Sequence, residues 1–147
     1  MDDSQTVEAA LKEFYRNNYF GEEAFTAKVV QVQILGPIKL PLPNVKQRRE
    51  VIHLHDLTHL VTGYDTSWAG EGEVAALELA SGFPRKYWIG WVYAPLAFIT
   101  GILVSPLRVA KAFRRGWGAT NLYKLDIPRE RLYSMTLREL RKELALR

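Results

Sequence analysis

Cysteine is absent from the chain. That excludes disulfides, thiolate metal sites and a cysteine nucleophile, and it leaves the redox compartment open. Histidine is scarce: there are three, and all fall within the seven positions His53–His59. Internal repeats and low-complexity segments are lacking. No secretory signal is expected, because Met1–Ser4 is acidic and no apolar run follows it; a cytoplasmic start is the expectation. A strong charge bias is missing too. The net charge of +4 fits a nucleic-acid binder, but equally a protein that rests on anionic lipid.

What is present suits one folded domain over residues 1–147. Hydrophobic residues make up 48% and charged residues 24%, enough to build a core and too little charge to favour disorder beyond Met1–Ser4. The expected architecture is mostly α, a helical domain with a small N-terminal β-hairpin and a metal site between two helices. From about Ser4 to Asn17, residues Val7, Ala10, Leu11, Phe14 and Tyr15 share one helical face. Val30, Val32 and Ile34 alternate with Gln31 and Gln33, a strand pattern. Gly36-Pro37 signals a turn, and Ile38–Pro43 can return as a second strand, confined by Pro41 and Pro43 to an edge or to polyproline geometry. A helix is predicted from about Gln47 to Thr62, broken at Gly63–Thr66. A second helix is capped by Thr66 or Ser67 and runs to Ser81, where Gly82 and Pro84 end it. Asp126-Ile127-Pro128 opens a short helix. Thr136–Glu139 is a capping-box pattern for a last helix bearing Leu137, Leu140 and Leu144.

The histidines lie on the first helix of that central pair. At about 100° per residue, His55 and His59 stand about 40° apart around the axis, and Asp56 falls about 100° from one and about 60° from the other. Two imidazoles and a carboxylate in one arc are what a divalent cation takes. His53 projects to roughly the opposite side, which suits a supporting or buried structural role. A fourth, acidic ligand must come from elsewhere. On an unbroken helix Glu71 would stand about 18 Å further along, but the break at Gly63–Thr66 lets the second helix bring it back in its first turn. Gly70 and Gly72 on either side allow close backbone approach. Glu73 competes for this role, and Asp65 does so less well. The bland alternative is that an H-x-x-x-H pair on an amphipathic helix is only a set of satisfied core or surface residues.

The order His55-Asp56-x-x-His59, eleven residues, then Glu71 resembles the signature of the fourth coenzyme Q biosynthesis protein family. Gly63, Thr66 and Gly70 resemble that family's linker, and "NLY" at 121–123 and "LRELRKEL" at 137–144 extend the likeness over roughly residues 47–147. Before the motif the chain departs from the family, being shorter and carrying the expected hairpin. The resemblance implies a mostly helical fold in which His55, Asp56, His59 and Glu71 bind a divalent cation and form the catalytic site if there is one. Zinc is the first expectation, with iron, manganese or magnesium next. It implies ubiquinone or prenylquinone biosynthesis, with oxidative loss of the ring carboxyl of a prenylated benzoate precursor, or scaffolding of the other biosynthetic enzymes. The expected partners are a prenylated quinone precursor or prenyl lipid, the membrane surface, those enzymes and a second copy of the chain as a homodimer.

Tyr87–Leu107 gives 21 residues without a charge. Trp88, Trp91 and Tyr93 cluster near one end like an interfacial belt, and basic residues flank both ends. The run is long enough for a single-pass span. Pro95, Gly101 and Pro106, and the need for both flanks to reach one core, favour instead a kinked helix, partly core and partly lipid-facing. The expected location is the cytoplasmic face of the membrane, held peripherally, with a span at 87–107 as the alternative. Arg108, Lys111 and Arg115 form a basic stripe suited to lipid phosphates; no recognition motif accompanies it, so nucleic acid is not expected.

Three functions compete. As an enzyme, the cation would polarise a carboxylate or phenolic oxygen of an aromatic acid, with dioxygen as oxidant and no organic cofactor, since no flavin or nicotinamide motif is present. As a hydrolase, H-D-L-T-H would stand in for H-E-x-x-H with Asp56 as general base, a shorter reach to the water. As a lipid carrier or scaffold, the metal would be structural, with four filled positions.

Overall fold

The computed structural model describes residues 2–18, 27–35 and 38–146. The elements run α1 (Val7–Asn18), β1 (Val29–Leu35), β2 (Ile38–Pro43), α2 (Lys46–Thr62), α3 (Trp68–Ala80), α4 (Trp88–Val104), α5 (Pro106–Gly116), a 3₁₀ turn (Leu122–Lys124), α6 (Arg129–Ser134) and α7 (Leu137–Glu143). The fold is mostly helical, as the periodicities predict. β1 and β2 pair antiparallel, with Val29 opposite Pro43 and Gln31 opposite Pro41. In a two-stranded sheet each strand is an edge, so the prolines interrupt no inner ladder. The Gly36-Pro37 turn lies outside the described residues.

One half of the core is a cluster of aliphatic side chains. Val7, Ala10 and Leu11 of α1 meet Leu57, Leu60 and Val61 of α2, and Leu132, Leu137, Leu140 and Leu144 close over them. The chain's first residues join this cluster through backbone bonds: Val7 N–H donates to Met135 O at 2.8 Å and Leu137 N–H to Gln5 O at 3.0 Å. Asp3 is paired with Arg141 and its carbonyl accepts from Arg138 N–H at 3.1 Å, so the acidic start is tied down rather than loose. Arg141 also donates from Nε to Val61 O at 2.7 Å and from Nη2 to Leu60 O at 3.3 Å. A cation on the last carbonyls of α2 satisfies groups that the helix itself leaves unpaired. The capping box at Thr136 and Glu139 is formed on both sides.

The second half is built around α3, which is buried on nearly every side and packs against α4 and α5. Its small residues make this possible. A side chain on Gly72 would fall on the backbone of Gly101 in α4, and one on Gly116 of α5 would stand 2.6 Å from Leu77 O. Gly63 ends α2 with φ 76°, a left-handed cap that glycine adopts without strain. Ser67 caps α3 by accepting from Gly70 N–H at 3.3 Å.

The apolar run 87–107 is not one helix. Among the described residues no helix is long and apolar enough to cross a membrane, which removes the single span at 87–107. The division falls at Ser105 (φ −151°, ψ 74°), the residue between α4 and α5. Pro106 forces it there: a residue before proline is pushed out of helical geometry, and proline itself fits the first position of the next helix.

Candidate metal centre

α2 and α3 bring three of the four expected ligands together. His55 and His59, four apart on α2, and Glu71 in the first turn of α3 offer ligand atoms that all lie within 4.8 Å of one another. His55 Nε2 is 3.1 Å from Glu71 Oε2, His59 Nε2 is 3.3 Å from Glu71 Oε1, and the two Nε2 atoms are 3.3 Å apart. Donors about 2.1 Å from a shared ion stand roughly 3.0–3.4 Å from one another at ordinary coordination angles. The spacing and the donor types therefore fit a divalent cation. The rings meet edge to face with centroids 4.9 Å apart, and Phe14 stacks on His59, which fixes the inner ring against the core.

Asp56 does not join the group. Its Oδ2 accepts from Tyr15 Oη at 3.0 Å, and the residue is buried. The roughly 100° offset from His55, which the sequence arithmetic counts as one arc, is enough to turn Asp56 toward α1. Burial raises the Asp56 carboxyl above its ordinary range, against the pull of His55 and the Tyr15 hydroxyl. The same hydroxyl lies 3.2 Å from His53 Nδ1, and burial lowers the basicity of that ring, with Arg129 acting in the same sense. Asp56, the general base that the hydrolase reading needs, lines the cavity beside the group but is engaged by Tyr15.

The two competing acids are engaged elsewhere. Arg108 Nη2 reaches Glu73 Oε2 at 2.6 Å and Asp65 Oδ2 at 3.0 Å, and Ser67 also holds Asp65. Arg115 lies over the Tyr64 ring and donates to Thr62 O at 3.3 Å. Two cations of the basic stripe thus serve the fold, and the exposed ones are Lys111 and the neighbouring Arg114.

A cavity of about 640 Å³ opens beside the group. His55, Glu71 and Glu78 line one part of it, and Phe83, Ile89, Ala94 and Ala97 another. Glu78 escaped the sequence reasoning. Its signal was the spacing of seven from Glu71, which returns to nearly the same helix face.

The electrostatics suit ion exchange between proton and metal. Burial works against a charge on His55, yet Glu71 and Glu78 outweigh it and raise its pKa well above the usual value. Burial likewise opposes ionisation of Glu71, while hydrogen bonds with His55 and His59 hold its carboxyl well below the usual carboxylate range. A metal needs His55 neutral, so it must displace that proton. Zinc uptake near pH 7 is therefore expected to release about one proton per ion, and affinity to fall as pH is lowered. Titration calorimetry in two buffers of different ionisation heat counts the protons; a count of zero would contradict a charged His55.

Fold and site together describe a small, mostly helical protein with a histidine–carboxylate group able to hold a metal ion. No protein-family model matches the chain, nor does any curated protein or solved structure.

Proposed function

We propose that this is a membrane-associated, metal-dependent protein that binds a prenylated aromatic acid of the kind from which quinones are made and, with dioxygen as oxidant and a two-electron reductant from solution, replaces the ring carboxyl with a hydroxyl, releasing carbon dioxide and water. The observation that carries the reading is the cavity, which joins the His55–His59–Glu71 group to the apolar helix α4. An oxygen-bearing ring with a long apolar tail fits such a space, with its polar end at the cation and its tail along α4. Three protein donors, where a closed structural site has four, leave a position for that oxygen. With Asp56 turned to Tyr15, the donor set is two imidazoles and one carboxylate. Catalytic zinc sites use that set, and so do the iron(II) sites of oxygenases; the oxidative reaction favours iron. A bound cation would supply Lewis-acid stabilisation of charge on the ligand oxygen. The apolar walls hold the tail and keep water from the ring.

The outer side of α4 supports the membrane part. Trp88, Trp91, Leu96, Ile99 and Leu103 are all exposed and follow helical spacing, one stripe along about 25 Å of helix. A continuous exposed apolar stripe marks a contact surface. Arg85 and Lys86 are exposed just before it, and Lys111 and Arg114 beyond it, a charge distribution that suits a helix lying in an anionic interface.

The test uses liposomes containing anionic lipid and a carboxyl-labelled, farnesylated 4-hydroxybenzoate. The chain, loaded anaerobically with iron(II) and supplied with ascorbate as reductant, is expected to float with the vesicles and, on admitting air, to release labelled carbon dioxide. Flotation and ligand binding without release would reduce the proposal to a lipid-carrying protein. A chain that neither floats nor retains the acid would sink it.

A further inference from the structure

Glu78 is a buried acid to which the proposed centre gives no role. It lies in α3 seven residues after Glu71, two turns on and within about 20° of the same face. It is 4% exposed and lines the same cavity as His55 and Glu71. Its Oε1 has no hydrogen-bond partner among the described residues. A carboxylate oxygen kept from water without a donor is costly. Two donors face the carboxylate: the Tyr123 hydroxyl and His55 Nδ1, which stands 3.6 Å from Oε1, just outside hydrogen-bond reach.

We infer that Glu78 is a positioning residue of the metal centre: its carboxylate accepts the hydrogen bond of His55 Nδ1–H and so fixes Nε2 of that ring as the metal-binding nitrogen. The inference rests on reading His55, His59 and Glu71 as a cation site, and its argument is one of tautomers. A neutral imidazole has one N–H donor and one lone-pair nitrogen. His59 Nδ1 is 3.1 Å from Tyr64 O. A carbonyl only accepts, so Nδ1 carries the proton there and Nε2 presents its lone pair. His55 Nε2 stands 3.3 Å from that atom, and both lone pairs converge on one ion only if His55 adopts the same tautomer. Its Nδ1–H then needs an acceptor, and the Glu78 carboxylate is in place to be one. A backbone carbonyl orients one ring and a carboxylate the other. Such partners fix ring orientation and raise ligand basicity in metal sites. Charge agrees as well: Glu71 and Glu78 together match a divalent ion bound by two neutral imidazoles. The buried Tyr123 lies against the Glu78 carboxylate, which keeps that side chain in its place beneath the cavity.

The experiment measures Zn²⁺ affinity of the whole chain by chelator competition, in the wild type, Glu78→Gln and Glu78→Leu. Nitrogen-15 NMR of the imidazoles in the zinc-loaded wild type accompanies it. Glu78→Leu is expected to weaken zinc binding about 10–100-fold. Glu78→Gln, whose amide oxygen can still accept from Nδ1, loses less. In the wild type both His55 and His59 carry a proton on Nδ1 and zinc on Nε2. Zinc on Nδ1 of His55 overturns the inference, and that readout requires no variant to fold. A folded Glu78→Leu with wild-type affinity overturns it too. A wild-type chain that takes up no zinc overturns the cation site itself, a failure distinct from that of Glu78 alone.

Discussion

Glu71→Ala is expected to empty the protein of its metal. Among the described residues Glu71 is the one carboxylate within reach of both imidazoles, and it supplies the negative charge in a group of otherwise neutral donors. Zinc held by a full set of four protein ligands is worth about 10–16 kcal/mol. One ligand's share is then about 3 kcal/mol, or more than about 100-fold in affinity. The other acids nearby are engaged elsewhere or, as Glu78 does, face Nδ1 of His55 and not its ligand nitrogen. Glu73 and Asp65 are held by Arg108, and Asp56 by Tyr15. The matched control is Glu73→Ala, which is expected to keep its metal although it is only two residues away. Plasma mass spectrometry of the purified wild type and both variants decides the matter. Near one equivalent of metal in the wild type and in Glu73→Ala, with almost none in Glu71→Ala, is the expected pattern. Full metal content in Glu71→Ala would mean that the ion sits elsewhere.

The parts of this site written locally in the chain were legible, and those that depend on distant packing were not. Ser67 as a cap, Gly63 as a break and the capping box at Thr136 are short-range signals, because the groups they satisfy lie within four residues. The pair His55 and His59, and the return of Glu71 after the break, follow from helix geometry with one turn inserted. Asp56 was misplaced because its direction is decided by Tyr15, 41 positions away, and no periodicity in α2 encodes that contact. The basic stripe was read as a lipid surface because Arg108 meets its partners only once α3 and α5 pack. Ser105-Pro106 did carry a local signal for the break in the apolar run. That proline is one of the features that favour a kinked helix over a span in the sequence.

Gly72→Ala is expected to be strongly destabilising. The helices α3 and α4 touch backbone to backbone at Gly72 and Gly101. A methyl group on Gly72 would overlap the Gly101 backbone and stand 3.2 Å from Val109 Cγ2. Neither Gly101 nor the helix behind it has a rotamer to give, so relief requires moving α3 as a body. Overpacking usually costs about 1–3 kcal/mol, and contact with backbone puts this case at the upper end. For a chain of this size that corresponds to a fall in Tm of roughly 6–12 °C. Gly118→Ala is the control, because nothing stands within 4 Å of its added carbon. Thermal unfolding followed by circular dichroism compares the three proteins, and a Gly72→Ala curve that overlays the wild type would show that α3 and α4 do not cross at this point. The prediction has a second part, because Glu71 adjoins Gly72 on the same turn. Whatever displaces α3 from α4 also carries the Glu71 carboxylate relative to His55 and His59, whose positions are set by α2. Zinc affinity should therefore fall together with stability in Gly72→Ala and stay unchanged in Gly118→Ala. The glycine next to the ligand is thus a condition of the site's geometry, because the carboxylate reaches the histidines only where α3 can lie against α4 without a side chain between them.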